Sequence, residues 1–489
     1  MLVVATVAVS SPSLWIDRSP AADPGFDGHD SDGQAVRRDG LPDLPDLLAG
    51  PDGKAATTAG EWRERSRPHQ FELLESFVYG RCLPPVPMTV VGEVERTDVT
   101  LAGDVPAVRI QARLRPAGAA APQSSGERSA PCIETLLYLP RPPDRRAVPV
   151  FLQLNFRGNH AEHADPGIRL STAWMPADKA AAIVDHRATE GSRGVNGKRW
   201  PVEAMLARGY GMATAYCGDV FPDRPDGRAA SVLPALGHPV DGNLPPDEPG
   251  AIGAWAWELS RILDWLVTLP EVDARRVIVA GHSRLGKTAL WAGACDERFA
   301  MVVSNESGCG GAALSRRDHG ESVADITRTF PHWFCPAFAT YANRESELSC
   351  DQHVLLAMTA PRPLYVASAL EDQWADPRGD CRGSEPTDFR RLTGRSVERS
   401  AITSGRESTT CWSTTGCDSP TSPIARGSGA VCRPRPHRRK VLHRPNGRNE
   451  AAGPVFQSLH GPLDSLASGL ECPSLQTTEK DRSNGASPD

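Results

Sequence analysis

Three residues suited to acyl-transfer chemistry lie just past short apolar runs: Ser283 after Val277 to Ala280, Glu306 after Met301 to Asn305, and Asp372 after Leu364 to Ala369. A hydroxyl attacks an ester only when a base takes its proton, and that base needs an acid to hold its orientation. Ser283 sits in Gly281-His282-Ser283-Arg284-Leu285-Gly286-Lys287-Thr288, a stretch that fits two incompatible patterns. One is the nucleophile elbow, a Ser on a tight strand-to-helix turn with small residues where backbones crowd. Gly281 and Ser283 are placed for it, although Leu285 holds the place of the usual second Gly and Gly286 follows one later. The other is the P-loop GxxxxGK[ST], in which Lys287 would hold phosphates and Thr288 a magnesium ion, with Glu371-Asp372 passing for the acidic strand end. An ordinary structural turn is the third reading. A P-loop usually opens its nucleotide domain, whereas long α/β patterning precedes this stretch, so the context favours the Ser.

The elements that must position these residues follow from periodicity. Glu61 to Gly80 reads as a helix with Phe71, Leu73, Leu74, Phe77 and Val78 on its apolar side. Val90 to Arg113, Ile133 to Leu139, Val148 to Leu154 and Gly211 to Tyr216 read as strands, and Arg199 to Gly209 as a helix. Ile252, Trp255, Leu259, Ile262, Leu263 and Leu266 mark one face of another helix. Strands alternating with helices predict a doubly wound, mostly parallel sheet, with the chemistry beyond the carboxyl ends of the strands. Two loops stand out. Asn155 to His160 follows a central strand, where such enzymes place a second oxyanion donor, though an ordinary turn fits as well. Pro222 to Pro249 is a long polar segment of the kind that carries function.

Composition excludes several classes. The 489 residues carry a formal charge of −6, which is no nucleic-acid footprint. No apolar run reaches a membrane span. The 12 Cys form no CxxC pair, so zinc-ribbon and thioredoxin chemistries have no support. His160 and His163 lie three apart in a Gly/Asn/Asp-rich loop, read as solvated rather than as a metal pair. No metal, cofactor or nucleic-acid partner is expected. Leu2 to Val9 is apolar but lacks a basic lead and a small-residue cleavage site, so it is a poor export signal.

The stretch from about Asp43 to Gly379 resembles the bacterial glucuronoyl esterases, carbohydrate esterase family 15. Their motif G-x-S-R-x-G-K is Gly281 to Lys287 here, which accounts for the displaced Gly and for the accidental P-loop match. The resemblance also covers Asn155 to His160, Ser304 to Leu314, Phe330 to Cys335, Asp351 to His353 and Trp374 to Pro377. It implies an α/β-hydrolase fold, a three-layer sandwich around the sheet. It also implies cleavage of the ester between 4-O-methylglucuronate on glucuronoxylan and lignin alcohols. On this resemblance Ser283 is the nucleophile, Arg284 stabilises the oxyanion, and Glu306 and Asp372 match acids. Lys287, Glu321 and Trp374 match positions that hold the glucuronate ring. A guanidinium suits developing negative charge, and Lys, Glu and an indole N–H suit sugar hydroxyls. The resemblance further implies a secreted or periplasmic protein; a monomer is expected.

The chain departs from that family at its end. The resemblance implies a late catalytic His in a Gly-Tyr-His stretch ahead of Tyr-Asp-Trp, and none is present. After about Gly379 apolar periodicity stops, and His437, His443 and His460 lie in basic or structureless surroundings. A reading-frame error accounts for this. If the true codons take the last base of each codon and the first two of the next, Ser400-Ala401-Ile402-Thr403 can encode Gly-Tyr-His. Arg406 to Gly416 can then encode Gly-Ile-(His or Asp)-Asp-Leu-Leu-Glu-Tyr-Asp-Trp. The expected organisation is an extension over residues 1–45, an esterase domain over 46–426 with about 380–426 altered by the frameshift, and a tail over 427–489. The extension and tail are expected to be disordered by composition. Alternatives are an acetyl xylan esterase on the same fold, a P-loop NTPase, and an inactive carbohydrate-binding remnant.

Overall fold

The computed structural model describes residues 43–117, 131–141, 146–317, 319–369, 372 and 374–377, with the backbone of 401–403. Most of the frameshifted stretch, the tail over 427–489 and residues 1–42 of the extension lie outside the described residues. Residues 43–45, assigned to the extension, are described, and the Pro45 carbonyl accepts a bond from the His353 ring at 3.0 Å.

A single sheet is built in two styles. β1 (Met88–Val90), β2 (Glu95–Leu101) and β3 (Val105–Pro116) form antiparallel ribbons, and β4 (Ile133–Pro140) continues them. β5 (Val148–Asn155), β6 (Gly211–Tyr216), β7 (Val272–His282), β8 (Met301–Asn305) and β9 (Leu364–Ala369) follow, with the backbone of β10 (Ala401–Thr403) beyond them. The order is β1-β3-β4-β6-β5-β7-β8-β9-β10, with β2 on β3. From β6 to β10 every pair is parallel, while β4 joins β6 antiparallel. The largely apolar runs within β5, β7 and β8 belong to this parallel half, where both faces are covered. The hydropathy alternation in Val90 to Arg113 belongs to the antiparallel half, where one face meets water.

The helices around the sheet begin where the sequence allows. Pro201 fixes φ ahead of Val202–Ala207 and Gly209 turns to φ 82° after it, so the helix expected from Arg199 to Gly209 is shorter at both ends. Ala251–Leu266 is buried nearly all round, not on one face alone, because it crosses the interior of the molecule. The helix expected over Glu61 to Gly80 is present as Arg67–Leu74 flanked by π-helical turns Trp62–Ser66 and Glu75–Tyr79. Those wide turns shift the register, so Trp62, Ser66 and Gln70 are buried with Leu74 and Val78. Tyr79 then stacks on Trp291 at 4.5 Å between ring centroids, tying this segment to the helix that follows β7. A disulfide between Cys82 and Cys295 joins the same two parts across 213 residues of sequence, and no CxxC spacing announced it. No helix among the described residues is long and apolar enough to cross a membrane.

Candidate active site

β7 ends at His282, and the helix Arg284–Cys295 starts two residues later, so Ser283 must make the whole turn. It does so at φ 55° and ψ −129°, a conformation that L residues rarely adopt. The Ser283 N–H donates to the Asn305 carbonyl at 2.9 Å, and its own carbonyl accepts from Gly286 N–H at 2.8 Å. A Cβ on Gly281 would lie 1.9 Å from the Leu285 carbonyl oxygen, so only Gly fits there. Gly286 faces the Asn305 carbonyl, and a Cβ there would come within 3.1 Å of it. This is the geometry of a nucleophile elbow. It is not a P-loop: Lys287 is only 4 % exposed, inside the helix, with Nζ donating to the Ser307 carbonyl at 2.5 Å. Thr288 is fully buried and its hydroxyl donates to the Arg284 carbonyl at 3.0 Å.

Backbone strain recurs at the neighbouring strand ends. Glu306, directly after β8, has φ 51°, and Asp376, beyond β9, has φ 48°. The Glu306 N–H donates to the Ala367 carbonyl at 2.7 Å and its Oε1 accepts from Ala369 N–H at 2.8 Å. Its Oε2 is buried and accepts nothing from the described residues. Burial first, and then the charge of Asp372, push the Glu306 carboxyl up to about 7, against the pull of the Ala369 bond. Asp372 is exposed and accepts from Ala375 N–H at 3.2 Å. The two predicted acids therefore share the end of β9 in different environments, one dry and one wet.

The raised Glu306 has a consequence for stability. The folded state holds this proton more tightly than the unfolded chain, whose value lies near 4.5. Between those two values the unfolded state binds fewer protons, so this group's contribution falls as pH rises and its cost is complete above about 7. Glu306→Gln is expected to unfold at higher urea than the parent above pH 7, by about 2–3 kcal/mol, and to show no such gain below pH 4. Urea titrations at both pH values check this; equal gains at both would remove the ionisation from the explanation.

Arg284 lies between two aromatic rings, its guanidinium carbon 4.6 Å from the Phe156 centroid and 5.8 Å from that of Trp333. Its Nε pairs with Asp223 Oδ2 at 2.8 Å. Phe156 belongs to the Asn155 to His160 loop, so that loop does face Arg284. The loop's amides are tied inward, Asn155 Nδ2 donating to Asn159 Oδ1 at 2.7 Å and to Thr214 Oγ1 at 3.0 Å.

Lys287, Glu321 and Trp374 are brought together. Glu321 N–H donates to the Trp374 carbonyl at 3.0 Å. Burial raises the Glu321 carboxyl, while the Lys287 ammonium and a hydrogen bond with the Trp374 side chain pull it down. Trp374 is 57 % exposed, an unusual position for an indole without a partner to cover it.

The histidines divide. His160 and His163 are not in a solvated loop. His160 is fully buried against Ser192 Oγ at 2.8 Å and burial lowers it to about 4; His163 pairs with Glu203 at 3.0 Å. Polar composition misled because these polar groups satisfy one another. His282 bonds Asn305 at 2.9 Å and burial lowers it to about 3. Among the described residues no histidine hydrogen-bonds Ser283 or Glu306. Sequence reading also missed Asp223 and Trp333, which contact Arg284, and His332, which bonds Asp223; the signals were the long polar loop from Pro222 and the aromatic stretch from Phe330.

Comparison with known proteins gives a consistent set of relatives. The family described as "Glucuronyl esterase, fungi" matches residues 246–384. Carbohydrate esterase MZ0003, from an unknown prokaryotic organism, is 42% identical over 347 residues, 71% of this chain and 77% of that protein. The 4-O-methyl-glucuronoyl methylesterase of Podospora anserina is 39% identical over 135 residues, which is 26% of this chain and 28% of that protein. Among solved structures, a glucuronoyl esterase from Solibacter usitatus is 37% identical with a TM-score of 0.66, covering 76% of this chain and 95% of that one. A promiscuous CE15 esterase from the marine bacterial metagenome is 37% identical with a TM-score of 0.65, covering 76% of this chain and 94% of its own.

Proposed function

The chain belongs to the CE15 glucuronoyl esterases, and from that premise we propose that it is a serine esterase cleaving 4-O-methylglucuronoyl esters between glucuronoxylan and lignin alcohols. Ser283 Oγ attacks the ester carbonyl and its proton passes to a base. The carbonyl oxygen becomes an oxyanion facing Arg284. Collapse breaks the bond to the alcohol, which leaves with the proton, and a glucuronoyl-Ser283 ester remains for water to cleave. Glu306 orients the base, with Asp372 as a second acid beyond the neighbouring strand. The base is the His that the corrected frame supplies within codons of about 402 to 409; of these positions the structure describes only the backbone of 402 and 403.

The observation that carries this reading is the meeting of Lys287, Glu321 and Trp374 one helical turn beyond the elbow. A buried ammonium, a half-buried carboxylate and an exposed indole form a set suited to a carboxyl-bearing sugar with hydroxyls around it. A simple acetyl ester offers nothing for them to bind. The Cys82–Cys295 disulfide supports an oxidising compartment, in keeping with a substrate outside the cell.

Lys287→Met keeps the buried stem and removes the charge. Its kcat/KM on benzyl glucuronate is expected to fall roughly 10- to 100-fold, the worth of one charge-assisted bond, while hydrolysis of an aryl acetate changes less than about 3-fold. Steady-state kinetics on both esters check this, in this chain or in its frame-corrected form if the chain is silent. Because one 37% identical relative is described as promiscuous, deacetylation of xylan is the second reading. Equal losses on both esters, or turnover of acetylated xylan alone, would favour it.

A further inference from the structure

We propose that Asp223 is a positioning residue of this reaction: it fixes the Arg284 guanidinium in the pose from which that side chain meets the oxyanion. The inference rests on the esterase reading and adds to it a residue far from the elbow in sequence.

Asp223 lies in the polar segment that begins at Pro222, and its side chain is only 9 % exposed. Both carboxylate oxygens are occupied. Oδ2 pairs with Arg284 Nε at 2.8 Å. Oδ1 accepts from Trp333 Nε1–H at 2.8 Å and from His332 Nε2 at 2.9 Å. An indole N–H can only donate, and an ionised carboxylate can only accept, so His332 carries its proton on Nε2. Burial works to raise the Asp223 carboxyl, but Arg284 first, then His332 and Trp333, outweigh it and hold it below the ordinary carboxylate value. A charge this dry is tolerable only with such a full set of partners.

The consequence falls on Arg284. Arg284 Nε lies 2.8 Å from Asp223 Oδ2 as an ion-pair contact without an aligned hydrogen bond, so what Asp223 supplies is a fixed negative charge that holds the guanidinium beside it. The rings of Phe156 and Trp333 restrict its tilt. Trp333 serves twice, as a wall for the guanidinium and as a donor to the carboxylate that holds it. An oxyanion donor is effective when its geometry is set before the reaction, and a flexible Arg side chain alone does not set it. Asp223 supplies that constraint from a residue with no substrate contact of its own.

The test is a double-mutant cycle on benzyl glucuronate, in this chain or in its frame-restored form if the chain is silent, with D223N, R284A and the double variant, and W333F as a milder second probe of the same carboxylate. D223N is expected to lower kcat about 100-fold, the scale of losing or misplacing one oxyanion donor, with KM within about 3-fold. In the R284A background D223N is expected to change kcat less than 2-fold, because Asp223 acts through Arg284. W333F is expected to lower kcat about 5- to 10-fold, again only when Arg284 is present. Equal D223N losses in both backgrounds, or no loss at all, would overturn the proposal. A crystal structure of D223N reads the same question without turnover: a guanidinium displaced from between Phe156 and Trp333 supports it, and one left in place overturns it. A frame-restored parent that hydrolyses no glucuronate ester, with the guanidinium displaced in D223N, would fail the esterase reading and leave the Asp223–Arg284 assignment standing.

Discussion

In the frame-restored chain, Ser283→Gly is expected to cost at least about four orders of magnitude in ester hydrolysis and at the same time to raise the unfolding free energy by about 1 kcal/mol. The two effects share one cause. Ser283 is held at φ 55° and ψ −129° by the Gly281–Leu285 contact behind it and by its bond to the Asn305 carbonyl. A non-glycine residue in such a conformation costs roughly 1–3 kcal/mol, and a new glycine loses about 0.5–1 kcal/mol through the freedom it gains when unfolded. The strain is the larger of the two, so the net is a modest gain. Ser283→Ala removes the hydroxyl and keeps the Cβ, so it should match the kinetic loss without the stability gain. Urea unfolding and ester kinetics on the three proteins decide it. Activity surviving in Ser283→Ala would remove the nucleophile from the mechanism, and a glycine variant no more stable than the alanine one would show that the turn stores no strain.

The second large effect concerns the missing base. A chain with its frame restored near codon 395 is expected to hydrolyse benzyl glucuronate at least about 1,000-fold faster than the present chain, because a triad without its His keeps only what the oxyanion site and binding provide. The described histidines give this its force. His160, His163, His282, His332 and His353 are each bonded to a partner elsewhere, and none reaches Ser283 or Glu306. Glu306 Oε2 meanwhile accepts no hydrogen bond from any described residue, although it is buried. Equal rates in the two proteins would mean that a His of the present chain is the base. Sequencing the gene across codons 380 to 425 is the companion measurement, since a clean open frame that reproduces these residues would remove the error itself.

The elbow was legible because local rules fix it: a β-branched run, a Gly that alone tolerates the turn, and helix formers after it. Glu306 and Asp372 were legible because each follows a short apolar strand, and the parallel register places those strand ends side by side. The cage around Arg284 was not, because Asp223 lies 109 and 110 residues from His332 and Trp333, and none of the three stands in a periodic element. Such contacts are set by how loops fold over a sheet edge, which composition does not encode. The His160 loop shows the converse error. Its Asn, Gly and His content suggested water, but Asn155, Asn159, Ser192 and Thr214 supply the partners that water would have given. The π-helical turns near Trp62 and Glu75 likewise shift an apolar face that was otherwise read correctly.

The Cys82–Cys295 bond also alters how the protein would respond to being cut. It closes a covalent ring that contains β1 through β7, the elbow and the whole Pro222 to Pro249 loop. That loop is long, polar and partly exposed, which makes it the natural place for a protease to nick the chain. A single cut there opens the ring without releasing a fragment. The nicked protein would run as one band on a denaturing gel without reductant and as two with it, so the piece carrying Asp223 or its neighbours would stay tethered to the piece carrying Ser283.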